Sequence, residues 1–94
     1  MLTVFIEYKL DPERRTQGML LLRDMAARME SMGARQYRIW EGLDQPGLFV
    51  EAFDVETTEH YEQIKEVRIA DRDFCNCVSG PGKLHVWAFR PAEI

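Results

Sequence analysis

Four segments of the chain place apolar side chains at every second position, and two stretches with helical spacing separate them in the order strand, helix, strand, strand, helix, strand. Few folds accommodate that order. In the first segment Leu2, Val4, Ile6 and Tyr8 alternate with Thr3, Phe5, Glu7 and Lys9. Asp11-Pro12-Glu13 then supplies a capping side chain, a proline suited to the first helical position and an acidic first turn. The stripe Leu21, Leu22, Met25, Met29 and Met32 predicts a helix that Gly33 closes. Ala34 to Glu41 and Leu48 to Val55 read as strands, and the turn-rich Gly42-Leu43-Asp44-Gln45-Pro46-Gly47 joins them as a hairpin. A second helix is expected from Thr57 or Thr58 through Tyr61, Ile64 and Val67, loosening over Asp71 to Val78 and stopped by Ser79-Gly80-Pro81-Gly82. Lys83 to Arg90 alternates again as a fourth strand, which Pro91 ends.

With right-handed crossovers this order gives an α+β, ferredoxin-like βαββαβ fold. Its four-stranded antiparallel sheet takes the order 4-1-3-2, with both helices on one face. At 94 residues the chain is expected to be one domain spanning 1–94. A net charge of -4 argues against a nucleic-acid partner, which would need clustered Lys and Arg. No apolar run approaches the roughly 20 residues that cross a bilayer, and the N-terminus has no basic start or small-residue cleavage site. The expectation is a cytoplasmic protein with no membrane partner. Cys75 and Cys77 sit too close in sequence for an unstrained mutual disulfide, and read as small thiols near a helix end.

The two sheet faces are the unusual feature. Helices should cover an aliphatic face made by Leu2, Val4, Ile6, Leu48, Val50, Ala52, Leu84, Val86 and Ala88. The other face collects Phe5, Glu7, Phe49, Glu51, Phe53, His85, Trp87 and Phe89, whereas such a face is normally polar. If Gly42 pairs with Gly47, Ile39 falls opposite Val50, Trp40 opposite Phe49 and Arg38 opposite Glu51. Six rings, Phe5, Trp40, Phe49, Phe53, Trp87 and Phe89, then carry about 900 Å² at the low end of their usual areas. A patch of that size marks an interface. The expected partner is a second copy of the chain, packed sheet to sheet about a two-fold axis.

The opening strand L-T-V-F-I-E-Y, the hairpin strand G-L-F-V-E-A-F and the closing strand K-L-H-V-W-A-F, together with the residue order and chain length, resemble the dimeric α/β-barrel superfamily. The similarity is greatest to its antibiotic-biosynthesis-monooxygenase-like and NIPSNAP-like small proteins, and it covers essentially the whole chain. The resemblance implies a range of activities: cofactor-independent oxygenation of aromatic polyketides, haem degradation and muconolactone isomerisation. The haem-degrading branch relies on an Asn in the first strand and on a Trp and a His near the second helix. Here Glu7 and Tyr8 stand where that Asn would be sought, and the second helix has no Trp, which counts against haem. His60, at the start of that helix, reads as a solvated or edge-packed residue.

Strand one lies between strands four and three, so Glu7, His85 and Glu51 are expected to project into one space with Arg38 beyond. A carboxylate among aromatic surface is disfavoured in its charged form, a neighbouring His or Arg favours it, and such environments tune general acids and bases. Glu7 and His85 are therefore the candidate catalytic pair, a base and a proton shuttle acting on a phenol-like or dicarbonyl molecule. Phe5, Arg38, Trp40, Phe49, Glu51, Phe53, Trp87 and Phe89 are the candidate substrate-binding residues. No cofactor is expected, and Glu7, Glu51 and His85 on three separate strands are too weak a pattern to predict a metal. The alternative is a non-catalytic dimerisation domain whose polar pairs only fix register. A cavity of roughly 300 Å³ or more touching Glu7 and His85 separates the two readings.

Overall fold

The computed structural model describes residues 1–80 and 84–94. Strands β1 (Leu2–Lys9), β2 (Arg35–Glu41), β3 (Leu48–Val55) and β4 (His85–Phe89) form one antiparallel sheet in the order β2-β3-β1-β4, the expected order read from the other edge. Helices α1 (Arg15–Leu22), α2 (Met25–Ser31), α3 (Thr58–Ala70) and the short α4 (Arg72–Cys75) complete the expected ferredoxin-like arrangement, with helices on one face. The proposed stop at Pro81-Gly82 and the start of the fourth strand at Lys83 lie outside the described residues. No helix among the described residues is long and apolar enough to cross a membrane.

The caps follow from sequence chemistry. Asp11 accepts a hydrogen bond from the Glu13 amide at 3.0 Å, and Pro12 opens a single 3-10 turn, Pro12–Arg14, ahead of α1. Thr57 accepts from the His60 amide at 3.1 Å and starts α3. The stripe expected of one helix is split: the chain breaks at Arg23-Asp24 between α1 and α2. Met25 and Met29 are buried, whereas Leu21 is exposed. Gly33 does end α2, at φ +99°, a conformation that a side chain would strain.

The largest departure from the sequence reading concerns β3. Ile6 pairs with Glu51, Val4 with Phe53 and Tyr8 with Phe49, so these residues share one face of the sheet. Phe49, Glu51 and Phe53 therefore lie beneath the helices at 4%, 0% and 0% exposure, not among the exposed rings. Leu48, Val50 and Ala52 take the open face in their place. The hairpin register is correspondingly shifted by one: Trp40 pairs with Val50, Ile39 with Glu51 and Arg38 with Ala52. The physical reason is that β3 is apolar in both phases, so alternation does not fix its face. The space under the helices takes the large rings, and partners there neutralise Glu51. In β2 an irregularity between Arg35 and Arg38, with Gln36 at φ +55°, bends the edge strand.

Candidate functional site

The sheet carries a different polar group on each face. On the open face, Glu7 of β1 pairs directly with His85 of β4, and Phe5 with Trp87 in the next row. Arg38 and Trp40 occupy the outer strand of the same face, with the Arg38 guanidinium 5.8 Å from the centre of the Trp40 indole ring. Phe5 and Phe89 meet edge to face at 5.6 Å, and His85 meets Trp87 at 6.3 Å. Trp40, Trp87 and Phe89 remain 52%, 38% and 52% exposed. Of the expected site residues, Phe5, Glu7, Arg38, Trp40, His85, Trp87 and Phe89 thus share this face.

A cleft of about 490 Å³ opens at one end of that face, lined by Glu7, Lys9, Gln45, Leu48, Ser79 and His85. It touches both members of the candidate catalytic pair. Ser79 fixes its wall: the backbone amide and the hydroxyl both donate to the Lys9 carbonyl, at 2.8 and 3.1 Å. A carboxylate beside an imidazole, with an amide and an ammonium near the mouth, is a set of groups that can receive a proton from a bound molecule and pass it on.

Beneath the helices lies the second group. Glu51 receives both terminal nitrogens of Arg68, Nη1 on Oε1 at 2.6 Å and Nη2 on Oε2 at 2.8 Å, and the Tyr8 hydroxyl donates to Oε2 at 2.6 Å. Neither charged side chain is exposed. The Arg68 guanidinium also lies 5.1 Å from the centre of the Phe74 ring and contacts the Met29 sulfur. Burial, and then the Glu51 charge, push the Tyr8 phenol far above its ordinary range, so it stays a donor. Burial alone would lower Arg68, but the hydrogen bonds and charge of Glu51 outweigh it and the net shift is upward. The Tyr37 hydroxyl is buried nearby with no hydrogen-bond partner among the described residues, and burial and then the Glu51 charge also push it up.

Glu51 therefore does not join Glu7 and His85, because it points to the opposite side of the sheet with its oxygens engaged. Phe49 stacks on Tyr8 at 5.9 Å and Phe53 on Tyr37 at 6.2 Å, both as core. Sequence reasoning missed Arg68 altogether and treated Tyr8 as a core-edge ring. A signal was present: Arg68 falls four residues after Ile64, on the same buried stripe of α3. His60 is held by Thr57, with Nδ1 2.9 Å from the hydroxyl, and packs over Gly33. Cys77 is buried and Cys75 half-buried, both as free thiols.

No protein-family model matches the chain, and no curated protein matches its sequence. Solved structures do match its fold. A conserved protein from Methanosarcina mazei Go1 superposes with a TM-score of 0.77 at 14% identity, covering 97% of this chain and 92% of that one. An antibiotic biosynthesis monooxygenase superposes at 0.75 with 15% identity, covering 99% and 100%. Rv0793 from Mycobacterium tuberculosis gives 0.71 at 17% identity, covering 99% and 96%. The chain has the same ferredoxin-like fold as these structures, a four-stranded antiparallel sheet with helices on one face. At these identities the likeness concerns the fold.

Proposed function

We propose that the protein is a cytoplasmic homodimer closed across its open sheet face, and that it binds a small aromatic or hydrophobic molecule in the cleft at Glu7 and His85. The observation that carries this reading is the coincidence of a cleft of about 490 Å³ with Glu7 and His85, two ionisable residues that pair directly across the first and fourth strands. Glu7 takes a proton from an acidic O–H or C–H of a phenol-like or dicarbonyl molecule, and His85 relays it to water. The electron-rich anion so formed is what oxygenation by dioxygen without a cofactor requires, and the fold is one that includes a monooxygenase. Leu48 supplies apolar surface within the cleft, and Phe5 and Trp87 stand in the neighbouring row of the same face.

Closure by a second copy follows from the exposed rings. Phe5, Trp40, Trp87 and Phe89 leave about 300 Å² of aromatic surface in water, even after Phe49 and Phe53 are removed to the core. A second reading, a non-catalytic dimerisation domain, is favoured by the same rings, since an interface alone demands them. A screen of small aromatic and acidic molecules by thermal shift, on wild type and His85→Ala with the solution mass measured alongside, separates the two. Ligands that stabilise wild type and not His85→Ala support the site. Equal responses remove His85 from it, and a monomeric mass removes the dimer.

A further inference from the structure

We infer that the site is completed in trans: Glu7 of one protomer is held by Arg38 of the partner subunit, twice across the two-fold axis. This rests on the homodimer just proposed and deepens it. Moving Glu51 beneath the helices takes away the carboxylate that Arg38 was expected to face. Arg38 now pairs across the ladder with Ala52, and neither Arg38 nor Glu7 has an ion-pair partner among the described residues. Glu7 sits toward the end of the open face where the cleft lies, with Val50 on one side and His85 on the other. Covering that face takes water away from the carboxylate, a costly outcome unless a cation meets it.

Among the described residues the cations of the open face are Arg35, Arg38 and Lys9, besides the imidazole of His85, and Arg35 is held by Glu56 at 2.7 Å. Lys9 lies at the end of its strand, at the mouth of the cleft, and is exposed. Arg38 stands among the rings, over Trp40 and in the row of Phe5 and Trp87. A planar, weakly hydrated guanidinium suits a covered carboxylate better than an ammonium does. In an isologous interface every contact occurs twice with roles exchanged, so one unpaired anion and one unpaired cation per protomer are satisfied together. The same pairing holds the Glu7 carboxylate in place at the wall of the cleft, so each site takes one residue from each chain.

Charge exchange tests this directly. The dissociation constant of the dimer is measured by analytical ultracentrifugation for wild type, Glu7→Arg, Arg38→Glu and the double variant, with far-UV circular dichroism to verify that each protomer is folded. Each single variant weakens the dimer by about 100-fold or more, as expected when one member of a covered charge pair is reversed. The double variant recovers to within about tenfold of wild type because the pairs re-form with opposite sense. A dimeric wild type whose single variants associate normally overturns the pairing and leaves the dimer standing. Weakened single variants without recovery in the double do the same. A monomeric wild type overturns both the pairing and the dimer on which it rests.

Discussion

Glu51 and Arg68 form a two-pronged ion pair, at 2.6 and 2.8 Å, with no exposure of either side chain, and it ties the middle of β3 to the last turn of α3. Two charges are kept in the interior because each nearly satisfies the other and Tyr8 takes a further lone pair. Arg68→Met leaves Glu51 uncompensated and is expected to cost about 3–5 kcal/mol in urea unfolding. Glu51→Leu combined with Arg68→Met recovers most of that loss, and adding Tyr8→Phe removes the hydroxyl that the pair leaves orphaned. If Arg68→Met unfolds at the wild-type denaturant concentration, the pair is not buried as described.

The position of β3 is tested by contrasting rings. Phe53→Ala empties a fully buried site and is expected to lose about 3–5 kcal/mol. Trp40→Ala, on a ring that is 52% exposed, is expected to leave the stability of the dilute, dissociated protomer within about 0.5 kcal/mol. Equal losses from the two substitutions in denaturant titrations would return Phe53 to the open face.

Glu41 makes stability depend on acid. Arg15 grips both its oxygens, at 2.7 and 2.8 Å, and the Gly47 amide donates to it at 2.8 Å, clasping the hairpin turn to α1. The Arg15 hydrogen bonds and then the Gly47 amide lower its pKa from 4.5 to about 2. A folded value below the unfolded one means that the contribution is fully present above about 4.5 and fades as pH falls toward 2. Wild type is therefore expected to be more stable than Glu41→Gln at pH 6, with the gap narrowing through pH 4 and closing near pH 2. Urea midpoints across that range provide the measurement, and a constant gap contradicts the assignment.

Gly33 combines two constraints. Its φ of +99° disfavours any side chain, and a Cβ there would stand 3.1 Å from His60 Cδ2. Gly33→Ala is expected to cost about 1–3 kcal/mol in thermal or urea unfolding. Adding His60→Ala relieves the contact and leaves the backbone strain, so only part of the loss returns. Complete recovery would assign the whole effect to the imidazole.

The open face itself reads out in association. Trp87→Ser removes a central ring of the proposed interface and is expected to weaken dimerisation by about tenfold or more with the protomer still folded, as sedimentation would show. Unchanged association would exclude that ring from the contact.

The residues alone made legible the order of elements and the phase of the first and last strands. Alternation along Leu2–Lys9 and along His85–Phe89 puts Phe5 and Glu7 on one side of β1 and His85, Trp87 and Phe89 on one side of β4, and pairing joins them as expected. Asp11 and Thr57 were legible as caps because a capping oxygen acts on an amide two or three residues away. The break between α1 and α2 was not, since Leu21, Leu22 and Met25 continue a helical spacing across it. Which side of β3 faces inward was settled by packing. Leu48-Phe49-Val50-Glu51-Ala52-Phe53 is apolar in both phases but for one acid, and local pattern carries no information when both phases are alike. The choice was made by Arg68, 17 residues further along, which meets Glu51 only once α3 has packed on the sheet. That long-range pairing buried one carboxylate and, by the same stroke, left Glu7 and Arg38 on the open face without an ion-pair partner among the described residues.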